Sequence, residues 1–352
     1  MNVFLESHNI NNKAGGLGTF NYQLIKALSK LDLKTLDITL NAKHPEILKK
    51  EFGNTFNYSK YSSLERHFLF RKKKKYHVWH SLNQNTKVEP FFKPKKYILT
   101  VHDVNFVEEV SKDMNHKVNK KFIAKLKRAD VITYISEFAK KQTHQYFDVP
   151  SVPEHIIYNG NPSETKIENN TFKPSFELNK PFFYSIGDFI PRKNFLSIVK
   201  MMENIENYVL ILSGNKDKEY GREIENYIKA NKLEEKVILT GKVSDEAKQY
   251  YMQNCTAFLF PSIREGFGLP PIEAMKFDKP VFLSNLTSLP EIGGDAAFYW
   301  ENFNPNYMKD FLFTNLEAFN TNKLFYLEKI KARANFFSWE KAAKEYLELY
   351  NS

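Results

Sequence analysis

The 352-residue sequence predicts an α/β protein made of two doubly wound, parallel-sheet domains. Three observations carry that expectation. The length is long for one core and comfortable for two domains of ordinary size. The second half alternates short apolar runs with helical stretches, the pattern of parallel strands covered on both faces. Between the halves, residues 161–180 are polar, rich in Asn, Glu and Pro, and read as a linker.

Each element has its own signal. The first half opens with a short apolar segment, Val3–Leu5, followed by a glycine loop, Gly15–Gly18. Phe20, Leu24, Ala27, Leu28 and Leu31 then recur at helical spacing. Tyr97–Val101 reads as a strand ending at His102-Asp103. Val118, Phe122, Leu126 and Ala129 mark a second amphipathic helix, before strand signals at Val131–Ile135 and Ile156–Tyr158. Beyond the linker, strands are expected at Phe182–Ile186, Tyr208–Leu212, Val237–Thr240, Ala257–Phe260 and Val281–Leu283. The last segment places Trp339, Ala343, Tyr346, Leu347 and Tyr350 on one face of a helix.

Composition excludes several classes. An apolar content of 42% supports ordinary globular cores and argues against disorder. The single cysteine, Cys255, forbids an intramolecular disulfide, fits a reducing compartment and, beside a strand, reads as a buried structural residue. No apolar run approaches a membrane span, and Met1–Ile10 lacks a signal-peptide layout. A soluble or peripheral cytoplasmic protein is therefore expected. The net charge of +10 is uneven. Residues 1–170 hold 28 Lys and Arg against 17 Asp and Glu, and the remainder 23 against 24. The excess is densest at Arg71–Lys75, which reads as a solvated loop or as a face for anionic lipid or an anionic substrate. Nucleic acid is not an expected partner, because no nucleic-acid module accompanies the charge.

Residues 261–275 say most about function: Pro-Ser-Ile-Arg-Glu-Gly-Phe-Gly-Leu-Pro-Pro-Ile-Glu-Ala-Met. Glu265 and Glu273 lie eight residues apart, with Gly266, Phe267, Gly268 and Leu269 between them and a Pro-Pro pair suited to opening a helix. Strand, glycine loop and helix succeed one another, with Glu265 in the loop and Glu273 expected in the first helical turn. Ligands of doubly wound folds bind at such strand ends, and ionised carboxylates accept hydrogen bonds from sugar hydroxyls. Taken alone, Glu273 reads more readily as a helix-start residue complementing the dipole than as a ligand contact.

Other motifs add charge and backbone donors. Ile186-Gly-Asp-Phe-Ile-Pro-Arg-Lys-Asn194 follows a strand and presents Arg192 and Lys193, a planar fork and a point charge suited to a diphosphate. Gly16 and Gly18 belong to a loop whose N–H groups suit an anion, although the third glycine of a dinucleotide fingerprint is missing. His102 is the first half's catalytic candidate, with Asp103 beside it. The chain has no Asp-x-Asp and no His/Cys set at zinc spacing, so no metal and no cofactor is expected.

The string 261–275, continued by Lys279–Asn285 and Ser288-Leu-Pro-Glu-Ile-Gly-Gly-Asp295, resembles the signature of the retaining glycosyltransferase family 4 enzymes of GT-B fold. The resemblance is dense over 181–300. Before residue 160 it is confined to the glycine loop, His102-Asp103, Ile135-Ser136 and Tyr158-Asn-Gly160. It implies two Rossmann-like domains facing each other across a cleft. These are an acceptor-side domain over 1–166, with a terminal helix over 338–352 crossing back to it, and a nucleotide-sugar domain over 167–337. It further implies that Glu273 holds the ribose and that Glu265 and the N–H groups of Gly266–Leu269 hold the transferred sugar. Arg192 and Lys193 neutralise the leaving diphosphate, Gly16 and Gly18 face it, and His102 lies near the sugar. Gly214 and Val243 line the nucleotide pocket. The string looks most like mannosyltransferases of bacterial surface polysaccharides. GDP-mannose is thus the expected donor, with UDP- or dTDP-sugars as alternatives, and a glycan or lipid-linked oligosaccharide the expected acceptor. A non-catalytic nucleotide-sugar binder is the remaining alternative.

Overall fold

The computed structural model describes residues 1–12, 15–33, 35–162 and 171–352. The chain divides into two units, Met1–Pro162 with Phe337–Ser352, and Ser163–Phe336. The expected boundary at 166/167 falls within 163–170, outside the described residues.

In the first unit, seven parallel strands form a sheet: β1 (Asn2–Glu6), β2 (Asp37–Ala42), β3 (Asn57–Lys60), β4 (Val78–Ser81), β5 (Lys96–Val101), β6 (Val131–Tyr134) and β7 (Glu154–Ile156). Their order is β3-β2-β1-β4-β5-β6-β7, so direction reverses at β1/β4. The helices are α1 (Gly16–Leu28), α2 (Pro45–Phe52), α3 (Phe106–Glu109), α4 (Lys117–Leu126) and α5 (Glu137–Tyr146). Leu31 and Ala129, assigned above to helical faces, lie beyond the ends of α1 and α4. β2, β3 and β4 escape a hydrophobic scan for a physical reason. Thr39, Asn41, His80 and Ser81 are polar and buried, and β3 is a half-exposed edge of sequence Asn-Tyr-Ser-Lys.

The second unit repeats the scheme with six parallel strands: β8 (Phe182–Ile186), β9 (Val209–Ser213), β10 (Val237–Gly241), β11 (Ala257–Phe260), β12 (Val281–Ser284) and β13 (Phe298–Trp300). Their order, β10-β9-β8-β11-β12-β13, puts the switch point between β8 and β11. Around them lie α6 (Phe195–Met201), α7 (Glu219–Ala230), α8 (Asp245–Asn254), α9 (Leu269–Met275), α10 (Leu289–Gly293), α11 (Pro305–Thr321) and α12 (Lys323–Phe336). β8, β9, β11 and β12 are almost wholly buried, as strands covered on both faces must be, and this gave them their continuous apolar runs. Cys255 is buried among them, and burial pushes its thiol up to about 12.

The last helix, α13 (Trp339–Asn351), belongs to the first unit. It buries Trp339, Ala342, Ala343, Tyr346 and Tyr350. Its Tyr350 hydroxyl meets His80 Nδ1 at 2.8 Å, and Tyr346 reaches Thr100 Oγ1 at 3.3 Å. Among the described residues no helix is long and apolar enough to cross a membrane.

Candidate functional site

The loops leaving β8 and β11 flank the switch point of the second sheet, and each delivers charge to it. After β8, residues Pro191–Lys193 form a single 3-10 turn, ended by Asn194 in the left-handed region at φ 52°. After β11, the chain runs through Pro261–Gly268 before α9 begins. Gly268 sits at φ 113°, where a side chain is strained, and a Cβ there would lie 2.8 Å from the Leu289 side chain. Ile263 N–H donates to the Arg192 carbonyl at 2.8 Å, and the Arg192 guanidinium donates to the Arg264 carbonyl at 2.9 Å. The two loops are thereby tied to each other.

Glu265 is the centre of this arrangement. It is 9% exposed, and its Oε1 receives Lys193 Nζ at 2.5 Å and the Ser262 hydroxyl at 2.6 Å. Arg192 Nη1 stands 3.5 Å from Oε2. Burial pushes the carboxyl up, yet Lys193 and Arg192 outweigh it and hold Glu265 below the ordinary carboxylate range. Burial pulls Lys193 below its ordinary value although Glu265 opposes the shift. Lys193 also lies over the Phe260 ring, 4.7 Å from its centroid. The main chain of the loop is fixed as firmly. Glu265 N–H donates to Thr287 Oγ1 at 3.1 Å, and the Ser288 hydroxyl reaches the carbonyls of Glu265 and Phe267 at 3.0 and 2.7 Å. Phe267 is itself buried.

Glu273 requires a correction. α9 begins at Leu269, with the prolines inside it, so Glu273 is the fifth helical residue and the first turn contains no acid. The dipole account of this residue therefore loses its basis. Glu273 is buried and pairs instead with Lys248 Nζ at 3.2 Å. Burial lowers the Lys248 ammonium, but Glu273 and Asp245 more than offset it and raise it above its ordinary value. Gly214 follows β9, and its N–H donates to the Gly241 carbonyl at the end of β10 at 2.8 Å. Val243 is half-buried one residue before Ser244, the N-cap of α8.

The structure thus unites Arg192, Lys193, Glu265 and the loop through Leu269 within one unit. Gly16, Gly18, His102 and Asp103 belong to the other unit. There His102 follows β5, is 5% exposed, and donates from Nε2 to the Leu82 carbonyl at 2.9 Å. That bond leaves Nδ1 as the acceptor nitrogen of the neutral ring. Burial pulls the imidazole down to about 4, against the Leu82 bond that favours the cation. Phe20 meets the ring edge-on at 4.6 Å. Asp103 Oδ1 accepts from Asn105 N–H at 3.0 Å. Gly18 lies within α1, and its absent Cβ is required by packing, since a Cβ would meet the Asn12 carbonyl oxygen at 1.9 Å. Gly16, the first residue of α1, has open space on its Cβ side.

Ser262, Thr287, Ser288 and Lys248 were not singled out in the sequence. Ser262 and Ser288 fall inside the strings quoted above, where a hydroxyl flanking Glu265 was a usable signal. Lys248 lies in an ordinary amphipathic helix and carried none. Among the described residues no three His, Cys, Asp or Glu side chains are grouped as a metal would need.

The chain is similar to known proteins in sequence and in fold. The family model "Glycosyl transferases group 1" matches residues 166–308. The serotype-specific mannosyltransferase WbdA of Escherichia coli is 30% identical over 239 residues, 63% of this chain and 28% of that protein. The chain thus spans just over a quarter of the length of that relative. The O-antigen chain mannosyltransferase B of Escherichia coli is 26% identical over 272 residues, 73% of this chain and 70% of that protein. In fold, the chain is similar to Anabaena HepE in complex with UDP-glucose, at a TM-score of 0.74 and 14% identity over 99% of both chains. Residues 166–308 thus match the family model of the glycosyl transferases group 1, and they stand in a chain of GT-B fold built from two parallel-sheet units.

Proposed function

We propose that the chain is a retaining, metal-independent hexosyltransferase. Its donor is GDP-mannose and its acceptor a glycan or lipid-linked oligosaccharide of surface-polysaccharide synthesis. The observation that carries this reading is the buried Glu265–Lys193–Arg192 cluster at the β8/β11 switch point. Mannose is supported by the relatives, one a serotype-specific mannosyltransferase and the other an O-antigen chain mannosyltransferase. The UDP-glucose complex of a protein of the same fold supports a nucleotide sugar in general.

In this reading each residue has a separate task. Lys193 is held at Glu265 by a short ion pair, while Arg192, anchored on the Arg264 carbonyl with its side chain about a third exposed, presents its charge to the donor diphosphate. Their two positive charges offset the charge that grows on the leaving phosphate. Glu265 Oε2, 3.5 Å from Arg192 Nη1, accepts from hydroxyls of the transferred sugar. Glu273, oriented by Lys248, accepts from the ribose. His102, neutral at physiological pH, offers Nδ1 as an acceptor to a sugar or acceptor hydroxyl. The acceptor oxygen bonds to C1 on the face from which the C1–O bond to phosphate breaks. The departing phosphate oxygen takes the acceptor proton, so no protein nucleophile is required.

A thermal-shift panel of nucleoside diphosphates and their sugars tests the donor. At 100 times its dissociation constant the correct ligand should stabilise the protein by about 2.7 kcal/mol. Guanosine diphosphate should lead the ranking. A lead for uridine or deoxythymidine diphosphate would move the donor assignment and leave the chemistry intact. Binding without any release of nucleoside diphosphate from the donor would instead favour a non-catalytic binder.

A further inference from the structure

Residues 63–70 of the first unit fold into two successive 3-10 turns, Ser63–Arg66 and Phe68–Phe70, and turn their apolar side chains outward. Leu64, Phe68 and Phe70 are 55%, 55% and 57% exposed, and Leu69 is 79% exposed. Single exposed leucines are unremarkable on a protein surface, but a run of three large apolar residues is not. A second segment extends the same surface. Phe68 stacks on Phe91 with ring centroids 4.8 Å apart, Phe91 meets Phe92 at 4.9 Å, and Phe92 is itself 40% exposed. The Arg71 guanidinium reaches the Pro90 carbonyl at 3.4 Å and lies over the Phe68 ring.

The charge around these rings has one sign. Residues 60–96 contain two acids, Glu65 and Glu89, and both are buried. Glu65 is neutralised by Lys72 at 2.5 Å, and Glu89 by Lys125 at 2.6 Å and Arg128 at 2.5 Å. Every exposed charge of the segment is therefore a cation: Lys60, Arg66, Lys73–Lys75, Lys87, Lys93 and Lys95. The ammonium groups interleave with the aromatics, Lys73 lying 5.7 Å from the Phe91 ring centre and Lys75 5.3 Å from that of Phe92. A second copy of the chain would bring the same cations together. Aliphatic Leu64 and Leu69 offer no stacking surface to nucleic-acid bases. An anionic bilayer satisfies both parts at once, taking the apolar side chains below its headgroups and the lysines among them.

We propose that Leu64, Phe68–Phe70 and Phe92 form a wedge that inserts into an anionic bilayer, with Lys73–Lys75 seated on the headgroups. This deepens the proposed function and rests on its reading that the acceptor is lipid-linked. The wedge anchors the unit at the surface where such an acceptor lies. Lys72 is excluded from the headgroup set because it is committed to Glu65.

The test uses the whole chain with vesicles containing phosphatidylglycerol and with pure phosphatidylcholine vesicles. The native tryptophans Trp79, Trp300 and Trp339 are buried, so Leu69→Trp supplies a surface reporter. Its emission should shift to the blue on phosphatidylglycerol vesicles and be quenched by lipid brominated in the acyl chain. Phe68→Ser/Leu69→Ser/Phe70→Ser should lower partitioning at least about tenfold. Lys73→Gln/Lys74→Gln/Lys75→Gln should lower it comparably and flatten its salt dependence. Release of nucleoside diphosphate from a water-soluble donor should be unchanged in both triple variants. An unquenched reporter overturns the proposal, as does a serine variant that partitions like the parent. So does a serine variant that only loses self-association in sedimentation. Absent donor turnover with intact insertion would count against the transferase reading and not against the wedge.

Discussion

At the switch point of the second sheet, Glu265 is buried as an anion and receives Lys193, Ser262 and Arg192. At the switch point of the first sheet the buried carboxylate is Glu6, which ends β1, the strand placed as β8 is in the second sheet. Its Oε1 meets His8 at 2.7 Å, while Oε2 has no partner among the described residues. Asn41, at the end of the neighbouring β2, is likewise buried with both amide atoms unpartnered among the described residues. The strand orders are the same apart from the seventh strand of the first sheet, and the chemistry at the strand ends is not. Buried polar atoms in folded proteins nearly always have partners, so the first unit retains hydrogen-bonding capacity that water or a ligand hydroxyl completes. In the second unit Tyr184 Oη and Ser185 Oγ on β8 are likewise buried without a partner among the described residues, but the Glu265 carboxylate is partnered before any ligand arrives, which is what electrostatic preorganisation requires. A site for one fixed chemical group, a diphosphate, suits the second arrangement. A site that adapts to hydroxyls suits the first.

The sharpest way to break this comparison is to unbalance the second unit. Glu265→Gln keeps the shape, removes the negative charge and frees Lys193 and Arg192 for phosphate. Turnover of an intact sugar donor should fall by about a hundredfold to a thousandfold. Affinity for the bare nucleoside diphosphate, read by calorimetry, should not fall. Glu273→Ala should do the reverse, weakening nucleotide binding about tenfold through loss of a charged hydrogen-bond acceptor. Equal losses of bare-nucleotide affinity in the two variants would show that the carboxylates do not divide the work.

The first unit keeps two buried histidines, His80 and His102, neutral, and acid should expose this. His80 lies between Tyr350 and Thr100, and burial, with His102 nearby, pulls it down to about 3. His102 is pulled down to about 4. Both values lie below the unfolded value of 6.5, so the unfolded chain binds more protons over this range and stability falls as pH falls below 6.5. At pH 5 each histidine should have cost about 2 kcal/mol relative to pH 7. Urea unfolding at the two pH values measures the sum, and His102→Asn should remove about half of it. A stability that is flat between pH 7 and pH 5 would mean that these rings are charged or hydrated in the native state. Depression of Glu265 adds a separate loss, confined to pH below the ordinary carboxylate value of 4.5.

The second unit was also the more legible one, for a related reason. Its site is made by two contiguous strings, 186–194 and 261–275, and its strands are apolar enough to be seen directly. Glycine and proline punctuation then fixed the loop between them. In the first unit the strands that end at the site carry buried Thr39, Asn41, His80 and Ser81, and those polar residues erase the apolar signal. β13 was missed because only three residues, Phe298–Trp300, form it. The position of Glu273 was misjudged because Pro270 and Pro271 were read as the helix start, whereas α9 already includes Leu269. Lys248, from another helix, is a tertiary partner, and no local pattern announces such a residue.

The smallest expected effect concerns metal ions, and it follows from where the second unit keeps its positive charge. A diphosphate leaving group needs about two charges offset in the transition state, which a divalent ion supplies in many transferases. In the proposed mechanism Arg192 and Lys193 bring two cations from one turn, one of them balanced by Glu265, and the Ile263–Arg192 and Arg192–Arg264 bonds fix that turn to the neighbouring loop. The sequence holds no Asp-x-Asp pair to present an ion at a second position. Transfer should therefore change by less than about twofold when EDTA is added to enzyme and donor, because these cations already supply that electrostatic offset. The control is Arg192→Ala, which removes one of the two charges and should lower turnover by more than tenfold in the same assay. If EDTA silences the enzyme and manganese or magnesium restores it, the arginine–lysine pair is not sufficient, and the preorganised second unit is incomplete without an ion.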